Sequence, residues 1–319
     1  MKKEKKSKVK MEEEVEVVKE EKIGGETRAE LRGMYAVFLR EIKRYFRDRS
    51  RIVTAITSPL VWLILFGVGF AGFFRQSGGI NYVNFIFPGI VCQSLLFTSV
   101  FLGISVIYDR QFGFLKEMLI APIRRISVFS GKMFGGATDA LIQGSIVLLL
   151  SFIFGVTISP VTFLSCLPIM LLTTIGFVSM SIIIASRMRS FESFGLIVNL
   201  VNLPLFFSSG ALFPVSNTPQ WLPIVIYNYT GVIVPTNSIP AWFQVLNMFN
   251  PLTYAVDALR GIILGNTVIS FTPATLQSDI LRSLIFGNNL YPIWLDIIIV
   301  AGFAALMLAL GAFSFRTRK

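Results

Sequence analysis

The chain has 319 residues, of which 54% are hydrophobic and only 15% charged, and its net charge is +11. Soluble domains carry about 25% charged residues, and the mean hydropathy here is +0.69. Those figures argue against a soluble enzyme, a nucleic-acid-binding domain and a disordered protein. The absence of histidine also removes the commonest general base and metal ligand.

Residues 1–28 read as a disordered, charged cytosolic tail. The run of lysines and glutamates through Lys22 offers too little apolar surface to order itself. It also lacks an apolar core of leader-peptide length. Residues 29–51 differ. Leu31, Met34, Tyr35, Phe38, Ile42, Tyr45 and Phe46 recur at helical spacing, with Arg40, Lys43, Arg44 and Arg47 between them. This pattern predicts a basic amphipathic helix lying in the membrane interface.

Long uncharged runs follow. About 20 consecutive apolar residues suffice to cross a bilayer, and the runs predict six spans near 52–74, 82–107, 128–154, 161–185, 194–212 and 291–315. The fold class is therefore an all-α integral membrane protein, with one transmembrane domain over 52–315 and a cytosolic tail at 316–319. Residues 213–290 hold seven prolines, from Pro214 to Pro273. Proline removes a backbone donor and clashes with the preceding turn, so this region is expected to form outer re-entrant half-helices. Cys92 and Cys166 fall inside apolar runs and are expected to be reduced, buried side chains.

Six spans place both termini on one side. All but Arg75, Arg260 and Arg282 of the 29 lysines and arginines then fall on that side. Basic residues mark cytoplasmic loops, so both termini are expected in the cytosol and the protein in the plasma membrane.

The cytosolic loop at 108–125 has its own helical pattern. Phe112, Leu115, Met118 and Leu119 share a face, Gly113 breaks the front and Pro122 stops the back. A short helix with an exposed apolar face suggests a docking surface.

Four segments in order carry a family resemblance: FLREIKRYFRDRSRI with SPLVWLILFGVGF behind it, DRQFGFLKEMLIAPIRR, LFPVS, and NPLTYAVDALRGIILG before the last span. Over roughly residues 30–315 the chain resembles the type-2 permease subunits of ATP-binding-cassette exporters, which include drug-resistance, polysaccharide and lipid-linked export permeases. The resemblance implies that the 108–125 loop is a coupling helix seated in an ATPase subunit, with Gly113, Phe114, Lys116, Glu117 and Pro122 at the contact. It also implies two ATPase subunits and a second permease, identical or related. The region between Pro223 and Asn250 is longer than the family pattern.

The chain carries no motor of its own. A P-loop needs G-x-x-x-x-G-K-[ST], and Gly131-Lys132 is followed by Met133. No cofactor is expected on this chain; ATP and magnesium belong to the partner subunit. The chain is not expected to be an enzyme, since no His, carboxylate or lysine cluster marks one interface.

Charges inside the spans are costly and often functional. Asp139 is expected either to pair with Lys132 or Arg187 or to contact substrate. Asp296 is expected to be wet at the outer end of the last span. Asp257 and Arg260, one turn apart, read as a local ion pair. Gln143, Asn199 and Asn202 read as substrate-path residues or as interhelical hydrogen-bonding partners. The expected function is export of a hydrophobic or amphiphilic substrate, drug-like, lipid or lipid-linked glycan. The alternative is an ion- or proton-coupled secondary transporter, which typically carries internal repeats and broken helices at the bilayer midplane.

Overall fold

The computed structural model describes residues 28–76, 82–114, 124–188, 190–212, 241–264 and 293–316, and all regular structure among them is helical. Helix α1 spans 28–47 and α2 spans Arg49–Gln76, with a one-residue break at Asp48. Next come α3 (Tyr82–Phe101), α4 (Gly103–Gln111), α5 (Arg125–Leu149) and α6 (Pro160–Arg187). The remainder are α7 (Phe191–Ser208), α8 (Ala241–Phe249), α9 (Pro251–Leu264) and α10 (Ile293–Arg316).

Five segments are long and apolar enough to cross a membrane: Tyr82–Gln111, Arg125–Phe154, Pro160–Arg187, Phe191–Ser208 and Ile293–Ser314. The expected first span is helical as α2, but its apolar stretch, Ile56–Gly67, is shorter.

Helix ends follow local chemistry. Ser159 accepts from the Thr162 amide at 3.1 Å, and Pro160 fills the first helical position of α6, where its missing donor costs nothing. Ser190 caps α7 by accepting from the Ser193 amide at 3.2 Å. Beyond α5 a short 3-10 turn, Leu150–Phe154, ends at Gly155 in the left-handed conformation.

Helix α3 is the centre of the fold. Ile86 to Leu96 are all buried, and α3 packs against α2, α5, α6 and α9. Its union with α4 is broken at Leu102. Ser181 of α6 spans the break, accepting from the Gly103 amide at 2.9 Å and donating to the Val100 carbonyl. A hydroxyl thus replaces the interrupted ladder, as freed backbone groups require inside a membrane.

The second apolar segment runs to Gln111, past the expected end at 107. Charge at Asp109 and Arg110 does not stop it, because both side chains are satisfied by neighbouring helices.

Helix α1 is docked on the bundle. Val37, Glu41 and Tyr45, on one face, are 5%, 2% and 1% exposed. Opposite them are Gly131 and Gly135 of α5. A Cβ at Gly131 would lie 2.6 Å from the Met34 carbonyl oxygen, and one at Gly135 would lie 2.7 Å from Glu41 Cβ. Small residues at i and i+4 let two helix backbones approach. The other flank of α1 leaves Leu31, Tyr35 and Phe46 exposed.

On the far side of the bundle, α8 and α9 form a helical pair interrupted at Asn250. Asn250 Nδ2 donates to the Leu205 carbonyl at 2.6 Å and to Ser208 Oγ at 3.0 Å, while its Oδ1 accepts from the Leu252 amide at 2.9 Å. Asn247 Nδ2 adds a bond to the Ser208 carbonyl at 2.6 Å. The end of α7 and the start of α9 are therefore joined through one side chain. Residues 213–240 and 265–292, and with them most of the expected re-entrant region, lie outside the described residues.

Candidate functional site

The loop that leaves α4 is anchored by a cluster of charges drawn from three helices. Asp109 sits in the last turn of α4, with 2% of its side chain exposed. Arg40 of α1 grips it with both terminal guanidinium nitrogens, at 2.7 and 3.4 Å. Arg44, one turn on, stands 3.8 Å from the same carboxylate. Lys132 of α5, fully buried, donates to Asp109 Oδ2 and also to Glu41 Oε1 at 3.1 Å. Two carboxylates and three cations thus lock α1, α4 and α5 together. Charges removed from water are tolerated only when paired and hydrogen-bonded, and here every acid has a cation.

The fixings continue around this cluster. Arg110 donates to the carbonyls of Ser186 and Met188, at 2.7 and 2.8 Å, binding α4 to the end of α6. Tyr108 stacks on Phe112 at 5.8 Å and meets Phe191 of α7 at 4.2 Å between ring centroids. Nearer the start of α1, Glu30 accepts from the Arg124 amide at 2.9 Å and from Ser127 Oγ. A carboxylate there caps α5 and complements its dipole.

From this base the chain turns out at Gly113, whose φ is +81°. Only glycine adopts that conformation without steric cost. Phe112 is 66% exposed, and Phe114, also exposed, lies under the Arg40 guanidinium at 5.5 Å. Of the expected coupling residues, Gly113 and Phe114 stand side by side at the mouth of the loop. Lys116, Glu117 and Pro122 lie outside the described residues, as does the rest of the expected apolar face.

The intramembrane residues separate. Asp139 is fully buried on α5. Lys132, one of its two expected partners, is committed to Glu41 and Asp109, and Arg187, the other, is exposed. Gln143 receives the Thr98 hydroxyl, joining α5 to α3. Asn202 is wholly buried, and neither its amide nitrogen nor its oxygen has a hydrogen-bond partner among the described residues. Asn199 is exposed on α7 beside Leu196 and Leu200, each 74% exposed. The two asparagines therefore face different surroundings.

Two expectations on the opposite side are corrected. Among the described residues no close salt bridge joins Arg260 to Asp257, although the two charges still attract each other through space. Its Nη2 donates to the Gly210 carbonyl at 3.0 Å and its guanidinium lies 4.1 Å above the Phe85 ring. Backbone carbonyls and an aromatic face solvate the cation once burial has removed water. Asp296 is not wet: it is 1% exposed, in the first turn of α10, where the neighbouring Ile293 lies against Gly261 of α9.

The Glu41–Lys132–Asp109 contact was not foreseen. Its trace in the sequence is Glu41, the lone acid amid Arg40, Lys43 and Arg44, on the helical face of Val37 and Tyr45.

The ABC-2 type transporter family matches residues 32–228 and 224–264. The chain is 29% identical to the putative transport permease ycf38 of Cyanophora paradoxa, over 69% of this chain and 71% of that protein. It is 28% identical to nodulation protein J of Rhizobium leguminosarum bv. trifolii, over 67% and 74%. It is 21% identical to the probable doxorubicin resistance ABC transporter permease protein DrrC of Mycobacterium tuberculosis, over 72% and 76%. The matched span begins inside α1, takes in the charged anchor of the loop and ends with α9, so the chain belongs to the ABC-2 type transporter family.

Proposed function

We propose that this chain is the membrane-spanning permease subunit of an exporter driven by a separate ATP-hydrolysing subunit. The cargo is hydrophobic or amphiphilic: drug-like, lipid or lipid-linked glycan. The protein works in the plasma membrane with six spans and both termini in the cytosol, paired with a second permease copy. ATP and magnesium bind the partner, whose closure pushes on the loop that begins at Gly113.

One observation carries this reading. The base of that loop is held by ion pairs from Asp109 to Arg40 and Lys132, and from Lys132 to Glu41. A push on the loop therefore moves α1, α4 and α5 as one unit instead of being absorbed in side-chain slack. Discrete, packed arrangements of this kind transmit displacement well. The exposed aromatic rings of Phe112 and Phe114 supply apolar contact area beside the anchor. Asn199 on the exposed flank of α7 and buried Asn202 are the polar groups proposed to meet cargo or the second copy, with Asp139 and Gln143 deeper in the bundle.

The test is ATP-dependent transport in vesicles that hold the chain with its cognate ATPase subunit. Glu117→Arg and Gly113→Trp are expected to abolish transport and uncouple ATP hydrolysis while the chain still inserts. Normal transport by both variants overturns the docking assignment. Transport without any ATPase subunit overturns the whole reading.

A further inference from the structure

We propose that the open polar flank of α1 is a binding site for the phosphate headgroup of an anionic phospholipid, carried by Lys43 and Arg47. A cavity of about 780 Å³ opens on this flank, with Ala36, Leu39, Arg40, Lys43, Arg44 and Arg47 as its lining among the described residues. Four of those six side chains are cationic. Arg40 and Arg44 are shared with Asp109. Lys43 and Arg47 are exposed and have no anionic partner among the described residues.

The order of residues around the helix identifies the occupant. At 3.6 residues per turn, the buried face of Val37, Glu41 and Tyr45 separates two flanks. One exposes Leu31, Tyr35 and Phe46. The other carries Arg40, Arg44 and Arg47, and Leu39 with Lys43 closes the circle between them. Passing around the free surface, the helix goes from apolar through Lys43 to guanidinium. That is the gradient of a bilayer interface, with acyl chain, phosphate and water in order. An acidic protein partner would match the cations but leave Tyr35 and Phe46 uncovered. Each basic residue near an anionic membrane surface is worth about 1 kcal/mol, roughly five-fold in association.

The test uses the full chain in phosphatidylcholine vesicles with trace spin-labelled phosphatidylglycerol or phosphatidylcholine, reading the immobilised fraction by electron paramagnetic resonance. The wild-type chain is expected to favour phosphatidylglycerol about five-fold or more, and K43Q/R47Q to bring the ratio near unity. R187Q, a cation away from the cavity, is expected to leave the ratio unchanged. The double variant keeps the contacts of Asp109 and Lys132, so its thermal midpoint should match wild type. Millimolar glycerophosphate should not displace the lipid; displacement overturns the lipid assignment in favour of a free phosphate site. An unchanged ratio in K43Q/R47Q overturns the proposal. So does loss of ATPase-subunit co-purification with the lipid preference intact, which assigns the cavity to a protein partner.

Discussion

The ammonium of Lys132 sits 3.1 Å from the Glu41 carboxylate, and the two side chains are 0% and 2% exposed. Glu41 has no other cation among its described contacts, whereas Lys132 also holds Asp109, and Asp109 in turn has Arg40. The dependence is therefore one-sided. Glu41 relies on Lys132 more than Lys132 relies on Glu41.

Lys132→Met tests that asymmetry. Removing one partner of a buried pair strands the other charge and costs about 3–5 kcal/mol. Glu41→Gln leaves Lys132 paired with Asp109 and is expected to cost clearly less. The double variant should then recover part of the Lys132→Met loss, because no stranded carboxylate remains at position 41. Thermal unfolding of the detergent-solubilised chain measures all three. Equal losses in the two single variants, with simple addition in the double, would contradict the geometry.

Gly113 separates conformation from packing. Its φ is +81°, and none of the described residues lies within 4 Å of a Cβ built there. Substitution therefore costs only the left-handed backbone, about 1–2 kcal/mol for ordinary residues. Gly113→Ala and Gly113→Leu should destabilise alike and Gly113→Asn less, since Asn tolerates that region. A loss that grows with side-chain size, read by thermal midpoint, would show instead that space is limiting.

The corrected contacts of Arg260 predict a reversal of what an ion pair would give. Asp257 is buried with one oxygen lacking a hydrogen-bond partner among the described residues, so Asp257→Asn removes a costly charge and Arg260 loses only a through-space attraction, not a hydrogen bond. Stability should hold or rise. Arg260→Lys keeps the charge but loses the planar stacking on Phe85 and the reach to the Gly210 carbonyl, and the two cations are not interchangeable at stacked sites. That variant should unfold at lower temperature. If Asp257→Asn is the more damaging change, the pair exists after all.

The apolar helices were legible because a long absence of charge has few other meanings, and Ser159-Pro160, Ser190 and Gly155 mark helix ends by their own chemistry. What the sequence hid were the places where charge is satisfied by distant residues. Asp109 and Arg110 look like a loop until Arg40, Lys132 and two carbonyls of the end of α6 supply partners. Asp296 looks wet, yet the turn that holds it lies against α9. Lys132 looks like a solitary interfacial cation until α1 brings Glu41 against it. Each case depends on a helix more than 20 residues away, and no periodicity within one helix records such a neighbour. For the loop site, Gly113 was legible as a break and Phe112 as part of an apolar face, and Phe114 entered through the family resemblance, while the ionic anchor behind them was not legible.

Asn250 allows a sharper test than truncation. Its side chain donates to Leu205 O and Ser208 Oγ through Nδ2 and accepts from the Leu252 amide through Oδ1. Aspartate keeps the shape and is as good a helix cap as asparagine, so capping alone predicts that Asn250→Asp is neutral or favourable. The structure predicts the opposite. The new carboxylate oxygen would stand where Nδ2 now sits, 2.6 Å from the Leu205 carbonyl, acceptor against acceptor in a buried site. A buried polar group left without its donor costs about 1–3 kcal/mol, more when charged. Asn250→Asp should therefore destabilise at least as much as Asn250→Ala and loosen the end of α7, which carries Asn202. Hydrogen exchange at the amides of 202, 203 and 205–208 locates the effect: faster exchange there, with α5 unchanged, supports the joint, and wild-type exchange in Asn250→Asp refutes it.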